Sequence, residues 1–294
     1  MVKKVVIAGG TGFIGTYLKE KYERLGYRVY IISRQPEHIQ WDDTNSMKDA
    51  LDEAKLVINL AGKSVNCRYT EANKREIFNS RTETTEALGR AIEACGTAPE
   101  LWVNASTATI YRHAQDRPMT EDRGEIGRGF SVKVAKSWED SFFSFQLPNT
   151  RQVALRIAIV LGDGGVMEPY RKLVKYGLGG KQGNGRQMFS WIHIEDLYRT
   201  VRFMQHRDEL SGVFNASAPK PVTNKQWMSE LRLSMNRRAG LPASKWMLET
   251  GAAALRTETE LLLKSRWVVP ERLVREGFRF RYPALKNALA DLNN

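Results

Sequence analysis

Residues 5–15, VVIAGGTGFIG, carry the clearest structural signal in this chain. A β-branched apolar run leads into glycines that recur every third residue from Gly9, and apolar residues at helical spacing follow over 13–25. A second apolar run at 28–33 completes a strand–helix–strand unit. The order of strand, glycine loop and helix predicts a βαβ unit that binds a dinucleotide.

Each glycine of the loop suits a pyrophosphate for a different reason. One of Gly9, Gly12 and Gly15 permits the tight turn, one lets the backbone approach the phosphates, and one allows close packing of helix and strand. The alternative is a glycine-rich structural turn. The second strand ends at Ser33 and Arg34, where an NAD site carries an acid and an arginine accommodates a 2′-phosphate. The sequence favours NADP(H), and an Arg34 that is only a solvated surface charge is the alternative.

The rest of the first half alternates buried-looking strands with helices. Further apolar runs lie at 56–60, 101–105 and 153–157, and helical patterns lie at 69–95 and 131–145. Near-continuous apolar strands between helices are typical of a parallel sheet that is covered on both faces. We predict an α/β protein with a Rossmann-type doubly wound parallel sheet and helices on both of its faces.

The pattern of long apolar strands and helices ends near residue 165, where a glycine-rich loop begins. We assign 1–164 to an NADP-binding Rossmann domain, to which 191–217 returns because 213–216 looks like another sheet strand. Residues 165–190 and 218–294 would form a smaller C-terminal α/β domain that binds the substrate and closes over it as a lid.

Composition excludes several classes of protein. The 294 residues are 42% hydrophobic and 27% charged, with a mean hydropathy of −0.44, which fits neither a disordered nor a membrane-embedded chain. The first residues are too short an apolar run for a signal peptide. Cys67 and Cys95 show neither metal-ligand nor disulfide spacing. We expect a cytoplasmic protein without a membrane segment or a metal site, since the four histidines also lie far apart in sequence.

Charge is distributed unevenly along the chain. Residues 1–150 hold 21 Lys and Arg against 20 Asp and Glu, whereas 151–294 hold 24 against 13, which gives the second half +11 of the net +12. A basic surface attracts phosphates, carboxylates or nucleic acid. Because these basic residues are scattered and no aromatic-interleaved platform accompanies them, we expect a small anionic substrate and no nucleic acid.

Eight short segments extend the pattern of the glycine loop along the chain. They are 59–62, 76–85, 106–111, 155–162, 179–187 and 190–197, with 268–273 and 276–280 near the end. Together with the glycine loop, these segments resemble the extended short-chain dehydrogenase/reductases. The resemblance is to an atypical branch, called NAD-dependent epimerase/dehydratase family proteins, whose members carry a C-terminal domain of unknown function, and 268–273 and 276–280 resemble that domain.

The resemblance implies a cofactor site and a substrate site, residue by residue. The pyrophosphate loop would comprise Gly9, Thr11, Gly12, Phe13, Ile14 and Gly15, and the 2′-phosphate would meet Ser33 and Arg34. Further cofactor contacts would come from Leu60, Ala61, Gly62, Glu76, Arg81 and Ser106, with Val160 near the nicotinamide. For the substrate we select Arg186, Gln187 and Trp191, since a glycine-flanked arginine in a loop can close over an anion.

One departure from the family concerns catalysis. Hydride-transfer members use a Tyr-x-x-x-Lys pair in which the lysine lowers the pKa of the tyrosine, but residues 130–139 here read FSVKVAKSWE. Alignment on Glu139 places Ser131 and Ala135 at the two positions, and alignment on Lys136 leaves Val132 in place of the tyrosine. Neither alignment supplies the acid–base pair.

Other candidates for catalysis are few. Thr107 occupies the position of the helper hydroxyl and is our catalytic candidate. Tyr111 could act only if the backbone turned it into the cleft, and we interpret His193 as a half-buried histidine of the sheet. Nucleotide-sugar epimerases commonly carry an arginine where Phe189 stands, which speaks against such substrates.

Two functions are therefore compatible with the sequence. The first is an NADP(H)-dependent oxidoreductase or epimerase-like enzyme with an unusual proton transfer. The second is an NADP(H)-binding regulatory or scaffold protein without catalysis, because fold alone does not fix function.

Overall fold

The strands and helices follow the predicted alternation. The computed structural model describes residues 2–244, 247 and 264–293. The strands are β1 (Lys4–Ala8), β2 (Arg28–Ile32), β3 (Ala54–Asn59), β4 (Leu101–Thr107), β5 (Arg151–Ile157), β6 (Ile159–Leu161), β7 (Met188–Phe189), β8 (Trp191–His193), β9 (Gly212–Ala216) and β10 (Val222–Thr223). The helices are α1 (Phe13–Arg24), α2 (Thr44–Leu51), α3 (Glu71–Glu93), a 3₁₀ turn (Ala108–Ile110), α4 (Phe130–Phe143), α5 (Met167–Lys175), α6 (Ile194–Gln205), α7 (Asn224–Ser234), α8 (Glu271–Arg275) and α9 (Leu285–Leu292).

Six of these strands form one parallel sheet in the order β2-β1-β3-β4-β5-β9. The predicted Rossmann-type doubly wound sheet is thus confirmed. The chain reverses its direction of winding between β1 and β3, and in such sheets the carboxyl ends of the strands at this point leave a crevice for a ligand. Strand β9, which was expected at 213–216, pairs with β5 at the edge of the sheet.

Apolar side chains cover both faces of the sheet. One face packs Val5, Ile7 and Leu155 against α1 and α6, and the other packs Val6 and Trp102 against α2, α3 and α4. The alternation of β1 residues between the two faces follows from the two-residue period of a strand. These two layers fix the position of the loops at the carboxyl edge of the sheet.

The C-terminal part has a core of its own. Trp191, Trp227 and Tyr170 are buried together with residues of α7 and α9. Two small sheets flank this core, β6 with β8 in parallel and β7 with β10 antiparallel. Residues 191–217 contribute to both regions, since α6 packs on the large sheet through Leu197 and Val201.

Side-chain caps define where several helices begin. The Thr70 hydroxyl accepts from the backbone N–H of Asn73 at the start of α3, and Thr223 and Gln226 form a reciprocal capping box at the start of α7. Helix α1 differs because Gly12 at its N-cap has no side chain. Among the residues that the structure describes, no helix is long and apolar enough to cross a membrane.

Candidate functional site

A cavity of about 500 Å³ opens at the carboxyl edge of the sheet, where the winding reverses. The glycine loop after β1, the loop after β3 and one face of α4 surround it. The residues that line it are Gly9, Gly12, Phe13, Ile14, Gly15, Leu60, Ser64, Val65, Tyr69, Ile77, Arg81, Ala105, Ser106, Thr107, Thr109, Phe130, Ser131, Val134, Ala135, Trp138, Ile157, Ala158 and Val160. Ten of the residues selected from the sequence are therefore brought together at one cavity.

The glycines of the loop differ in what they make possible. Gly9 has a φ of +72°, and a Cβ there would lie 2.7 Å from the backbone nitrogen of Ala61. A Cβ on Gly15 would lie 2.5 Å from the Cα of Gly10. These two positions require glycine for the fold itself. A Cβ on Gly12, in contrast, would meet only the carbonyl oxygen of Gly9, at 3.8 Å.

Gly12 therefore has no need to be a glycine for the sake of the protein's own packing. Its φ of −82° is ordinary for any residue, and the space beside its Cα belongs to the cavity. No side chain caps α1, and its first turn carries no acidic residue. The N–H groups of that turn have no carbonyl within the helix to bond, so this end of the cavity suits an anion such as a pyrophosphate.

The end of β2 carries the two residues selected for the 2′-phosphate. Arg34 is exposed and makes no ion pair or hydrogen bond with any residue that the structure describes. Ser33 is buried, and its hydroxyl accepts from the backbone N–H of Gln35 at 3.0 Å and lies 3.1 Å from Nδ1 of His38. Neither residue lines the cavity, which ends before the tip of β2.

Arg81 is the one charged side chain among the described residues that line the cavity. Its guanidinium donates to the carbonyl oxygens of Ile77 and Lys63, at 2.9 and 3.1 Å, and lies over the ring of Trp138. It forms no ion pair with a carboxylate of the described chain. Burial lowers the pKa of Arg81 to about 10, so the group remains positively charged at neutral pH and has unused N–H donors.

The surroundings of Arg81 explain two neighbours selected from the sequence. A Cβ on Gly62 would lie 2.9 Å from the guanidinium carbon, so glycine at this position admits the arginine. Glu76 is exposed and pairs with Lys63 outside the cavity. Thr11 and Ala61 flank the loop without lining it, and the amide of Ala61 donates to the side chain of Asn59 at 3.0 Å.

The face of α4 decides between the two alignments of the missing pair. Ser131 and Ala135 lie one turn apart and both line the cavity. Val132 is buried and does not line the cavity, and Lys136 is exposed. The alignment on Glu139 is the one that fits, so a serine and an alanine stand where the family carries tyrosine and lysine.

The loop after β4 contributes hydroxyl groups to the same end of the cavity. The Thr107 hydroxyl oxygen accepts from the backbone N–H of Thr109 at 3.1 Å. Its own proton has no acceptor among the described residues, which leaves it able to donate to a ligand. Tyr111 is buried instead of turned into the cleft, and its hydroxyl donates to Asn215 at 2.9 Å and accepts from Arg156 at 2.8 Å.

The residues selected for the substrate lie elsewhere. Trp191 is fully buried in the C-terminal core, and Gln187 is buried and donates to the carbonyl of Gln182 at 2.9 Å. Trp191 therefore packs in the core and Gln187 supports its loop, and neither side chain is placed to contact a ligand in the cavity. Arg186 is exposed on the same loop, also away from the cavity lining.

His193 serves as the N-cap of α6. Its Nδ1 accepts from the backbone N–H of Glu195 at 3.2 Å, and its ring lies against Tyr282. Burial lowers the pKa of His193 to about 4, so it is neutral at pH 7. The side chain is more deeply buried than the sequence suggested, at 2% exposure, and it lies outside the cavity.

Sequence reasoning missed the aromatic wall of the cavity. Tyr69 and Phe130 meet edge to face with ring centroids 5.0 Å apart, and Trp138 follows Ala135 by one turn of α4. The helical spacing of Ser131, Ala135 and Trp138 could have indicated one shared face. Nothing local to Tyr69 marks it, because it reaches the cavity from the loop before α3. Among the described residues, no cluster of potential metal ligands is present.

Comparisons with known proteins identify the family of this chain. Residues 5–131 match the model of the NAD dependent epimerase/dehydratase family, and residues 243–292 match a domain of unknown function, DUF1731. The chain is 32% identical to the human epimerase family protein SDR39U1 over 301 residues, and this alignment covers 98% of this chain and 99% of that protein. The chain belongs to the epimerase/dehydratase family. The resemblance inferred from the sequence is confirmed.

Other members of the epimerase/dehydratase family are equally similar along their whole length. The epimerase family protein YfhF of Bacillus subtilis (strain 168) is 31% identical over 297 residues, which cover 98% of this chain and 97% of that protein. The crystal structure of human SDR39U1 (isoform2) with NADPH has a TM-score of 0.90 and 30% identity, with 99% of both chains covered. The fold and its C-terminal domain are thus shared with these family members.

Proposed function

We propose that this protein is an NADP(H)-dependent, epimerase-like oxidoreductase that acts on a small anionic substrate. The observation that carries the proposal is the open space beside Gly12, at the uncapped start of α1 and at the mouth of the 500 Å³ cavity. A pyrophosphate could lie there against backbone N–H groups without moving any side chain. The NADPH found with human SDR39U1 supports the same choice of cofactor.

Three parts of the chain would hold the cofactor. The glycine loop would receive the pyrophosphate, and Arg34 would bind the 2′-phosphate because it is exposed at the end of β2 and forms no ion pair with the described residues. Arg81 would offer its unused N–H donors to the cofactor inside the cavity. A buried guanidinium without a carboxylate is costly in the empty protein, and an anionic ligand would offset that cost.

The substrate end of the cavity is built from hydroxyls and aromatic rings. When bound, NADPH supplies a hydride for reduction of the substrate. The Thr107 hydroxyl, whose oxygen already accepts from Thr109, would donate to an oxygen of the substrate. Ser131 adds a second hydroxyl at the position of the family's tyrosine, and Phe130 and Trp138 exclude water from the space between.

The anionic character of the substrate rests on charge. The half of the chain that forms the C-terminal part carries +11 of the net +12, which favours phosphates and carboxylates. Arg186 lies on a glycine-flanked loop of that part, and we propose that it reaches an anion bound above the cavity when the loop closes.

Two free cysteines, Cys67 and Cys95, support the proposal of a cytoplasmic location.

A regulatory role without catalysis is the second candidate, and one observation favours it. Ser131 and Ala135 face the cavity where an acid–base pair would stand, so the site has no tyrosine at the position from which family members transfer a proton. Stopped-flow oxidation of bound NADPH by a panel of carbonyl metabolites separates the two functions. A protein that binds NADPH tightly and oxidises it with none of them is the regulatory protein.

Titration calorimetry with NADPH and NADH tests the cofactor. We expect the wild type to bind NADPH at least about tenfold more tightly, a difference of about 1.4 kcal/mol that one phosphate–guanidinium contact readily supplies. Arg34→Ala should remove this preference and leave NADH binding unchanged. Equal affinities of the wild type for NADPH and NADH would refute the assignment of Arg34 to the 2′-phosphate.

A further inference from the structure

A buried ion pair lies directly behind the cavity wall. Glu139 on α4 and Arg156 on β5 form two hydrogen bonds, from Nε to Oε1 at 2.8 Å and from Nη2 to Oε2 at 2.7 Å. The Ser106 hydroxyl lies 2.6 Å from Oε1 of Glu139. All three side chains are buried, and Ser106 also lines the cavity.

The chemistry of the three groups fixes the direction of each hydrogen bond. An arginine carries only donors and a carboxylate only acceptors, so Glu139 can accept a hydrogen bond from Ser106 but cannot donate one. The Ser106 hydroxyl therefore donates to Glu139. Its lone pairs remain for the cavity, which makes Ser106 a hydrogen-bond acceptor toward any ligand.

A longer chain of contacts holds this arrangement in place. Nη1 of Arg156 donates to the Tyr111 hydroxyl at 2.8 Å, Tyr111 donates to Asn215 at 2.9 Å, and Asn215 donates to the carbonyl oxygen of Val269 at 3.0 Å. Strands β5 and β9, the loop after β4 and the C-terminal segment each contribute one member. Because every buried partner is satisfied, rotating Ser106 would leave a buried carboxylate oxygen with one donor fewer.

We propose that Ser106 accepts a hydrogen bond from an O–H or N–H group on the nicotinamide riboside half of bound NADP(H), and that Glu139 and Arg156 are positioning residues that keep its lone pairs turned toward the cofactor. The assignment rests on the proposed NADP(H) function. Strand β4 lies three strands from β2, roughly 14 Å at the spacing of a sheet. Ser106 thus faces the half of the dinucleotide farthest from Arg34, where Ala135 leaves room beside it.

Two ligands and four variants test the proposal by calorimetry. We expect Ser106→Ala to weaken NADPH binding by about five- to tenfold, as loss of one hydrogen bond does. Binding of adenosine 2′,5′-bisphosphate, which lacks the nicotinamide riboside, should not change. Glu139→Gln should weaken NADPH binding to the same extent, because an amide offers one acceptor oxygen to the three donors of Ser106 and Arg156 and no longer fixes the Ser106 proton.

The double variant distinguishes positioning from general damage. If Glu139 acts through Ser106, the double variant binds NADPH within about twofold of Ser106→Ala alone, whereas independent effects multiply to roughly 25- to 100-fold. Glu121→Gln is the matched control, since Glu121 is a half-buried carboxylate that accepts from the backbone N–H of Asn215 without touching Ser106. Its NADPH affinity should equal that of the wild type.

Each remaining outcome has a defined meaning. Unchanged NADPH affinity in Ser106→Ala, or multiplied losses in the double variant, overturns the inference and leaves the cofactor assignment intact. A wild type that binds neither NADPH nor adenosine 2′,5′-bisphosphate overturns the proposed function itself. If Glu139→Gln does not fold, Ser106→Cys decides, because a thiol of similar shape is a weak acceptor and should bind NADPH as poorly as the alanine variant.

Discussion

Replacing Gly12 by valine should abolish dinucleotide binding and leave the protein folded. The backbone of Gly12 has a φ of −82°, which valine adopts without strain, and its Cβ would contact only the Gly9 carbonyl oxygen, at 3.8 Å. The added side chain would instead occupy the cavity at the start of α1. The phosphates of a dinucleotide need that space to reach the first-turn N–H groups.

The expected magnitudes follow from these contacts. Valine is a poorer N-cap than glycine, so we expect a loss of about 1 kcal/mol in the free energy of unfolding, or about 2–4 °C in Tm. Exclusion of the phosphates removes at least two charge-assisted hydrogen bonds of about 1.5–3 kcal/mol each. The affinity for NADPH should therefore fall by at least about 100-fold.

Thermal unfolding with and without NADPH measures both effects. At a concentration near 100 times its Kd, NADPH should stabilise the wild type by about 2.7 kcal/mol, which raises Tm by roughly 5–10 °C. Gly12→Val should melt near the unliganded wild type and show no rise. A variant that still gains several degrees with NADPH would refute the reasoning, because the loop would then be structural only.

Two glycine variants serve as controls for the same substitution. Gly15→Val should fail to fold, since its Cβ would lie 2.5 Å from the Cα of Gly10. Gly96→Val should fold and bind normally, because Gly96 is exposed and its Cβ would lie 3.7 Å from Oδ1 of Asp52, far from the cavity. Loss of binding in Gly96→Val would show that valine acts through general destabilisation.

The remaining predictions concern the C-terminal part. Burial lowers the pKa of His193 from 6.5 to about 4. As the pH falls from 6.5 towards 4, the unfolded chain binds a proton at this histidine before the folded protein does. The free energy of unfolding therefore decreases over this pH range. Between about pH 7 and pH 5 this costs about 2 kcal/mol, and urea unfolding of His193→Gln should lack that part of the loss; an identical pH dependence in both proteins contradicts it. Arg186→Ala should weaken binding of anionic metabolites to the NADPH-loaded protein by one to two orders of magnitude, about 1.5–3 kcal/mol, with NADPH affinity unchanged in calorimetry. Neutral hits, or anionic hits that the variant binds equally well, would leave Arg186 as a surface charge.

The N-terminal unit could be predicted almost to the residue from the sequence. The expected strand at 28–33 is β2 (Arg28–Ile32), and the expected helix at 13–25 is α1 (Phe13–Arg24). These signals are local, because apolar periodicity and glycine spacing act within one turn or one strand. The same reasoning selected Gly9, Gly12 and Gly15, although it could not say which of them the fold requires and which one a ligand requires.

The substrate side was decided only by the tertiary structure. Trp191 was selected from its place in a motif, but packing against α7 and α9 buries it completely. The ambiguity over α4 was resolved because a helix turns 100° per residue, so that Ser131 and Ala135 line the cavity whereas Val132 and Lys136 do not. A local sequence pattern does not show which side of a packed helix faces a cavity.

The class of fold and the loop that receives a dinucleotide follow from local patterns along the chain, since each depends on neighbours within a few residues. Only the tertiary structure brought Ser106, Glu139 and Arg156 into contact, across separations of 33 and 17 residues. It also left Arg81 in the cavity without a carboxylate. The physical reason is that burial and the pairing of charges depend on which distant side chains share the carboxyl edge of the sheet, and the topology of the sheet sets that, not the spacing along the chain.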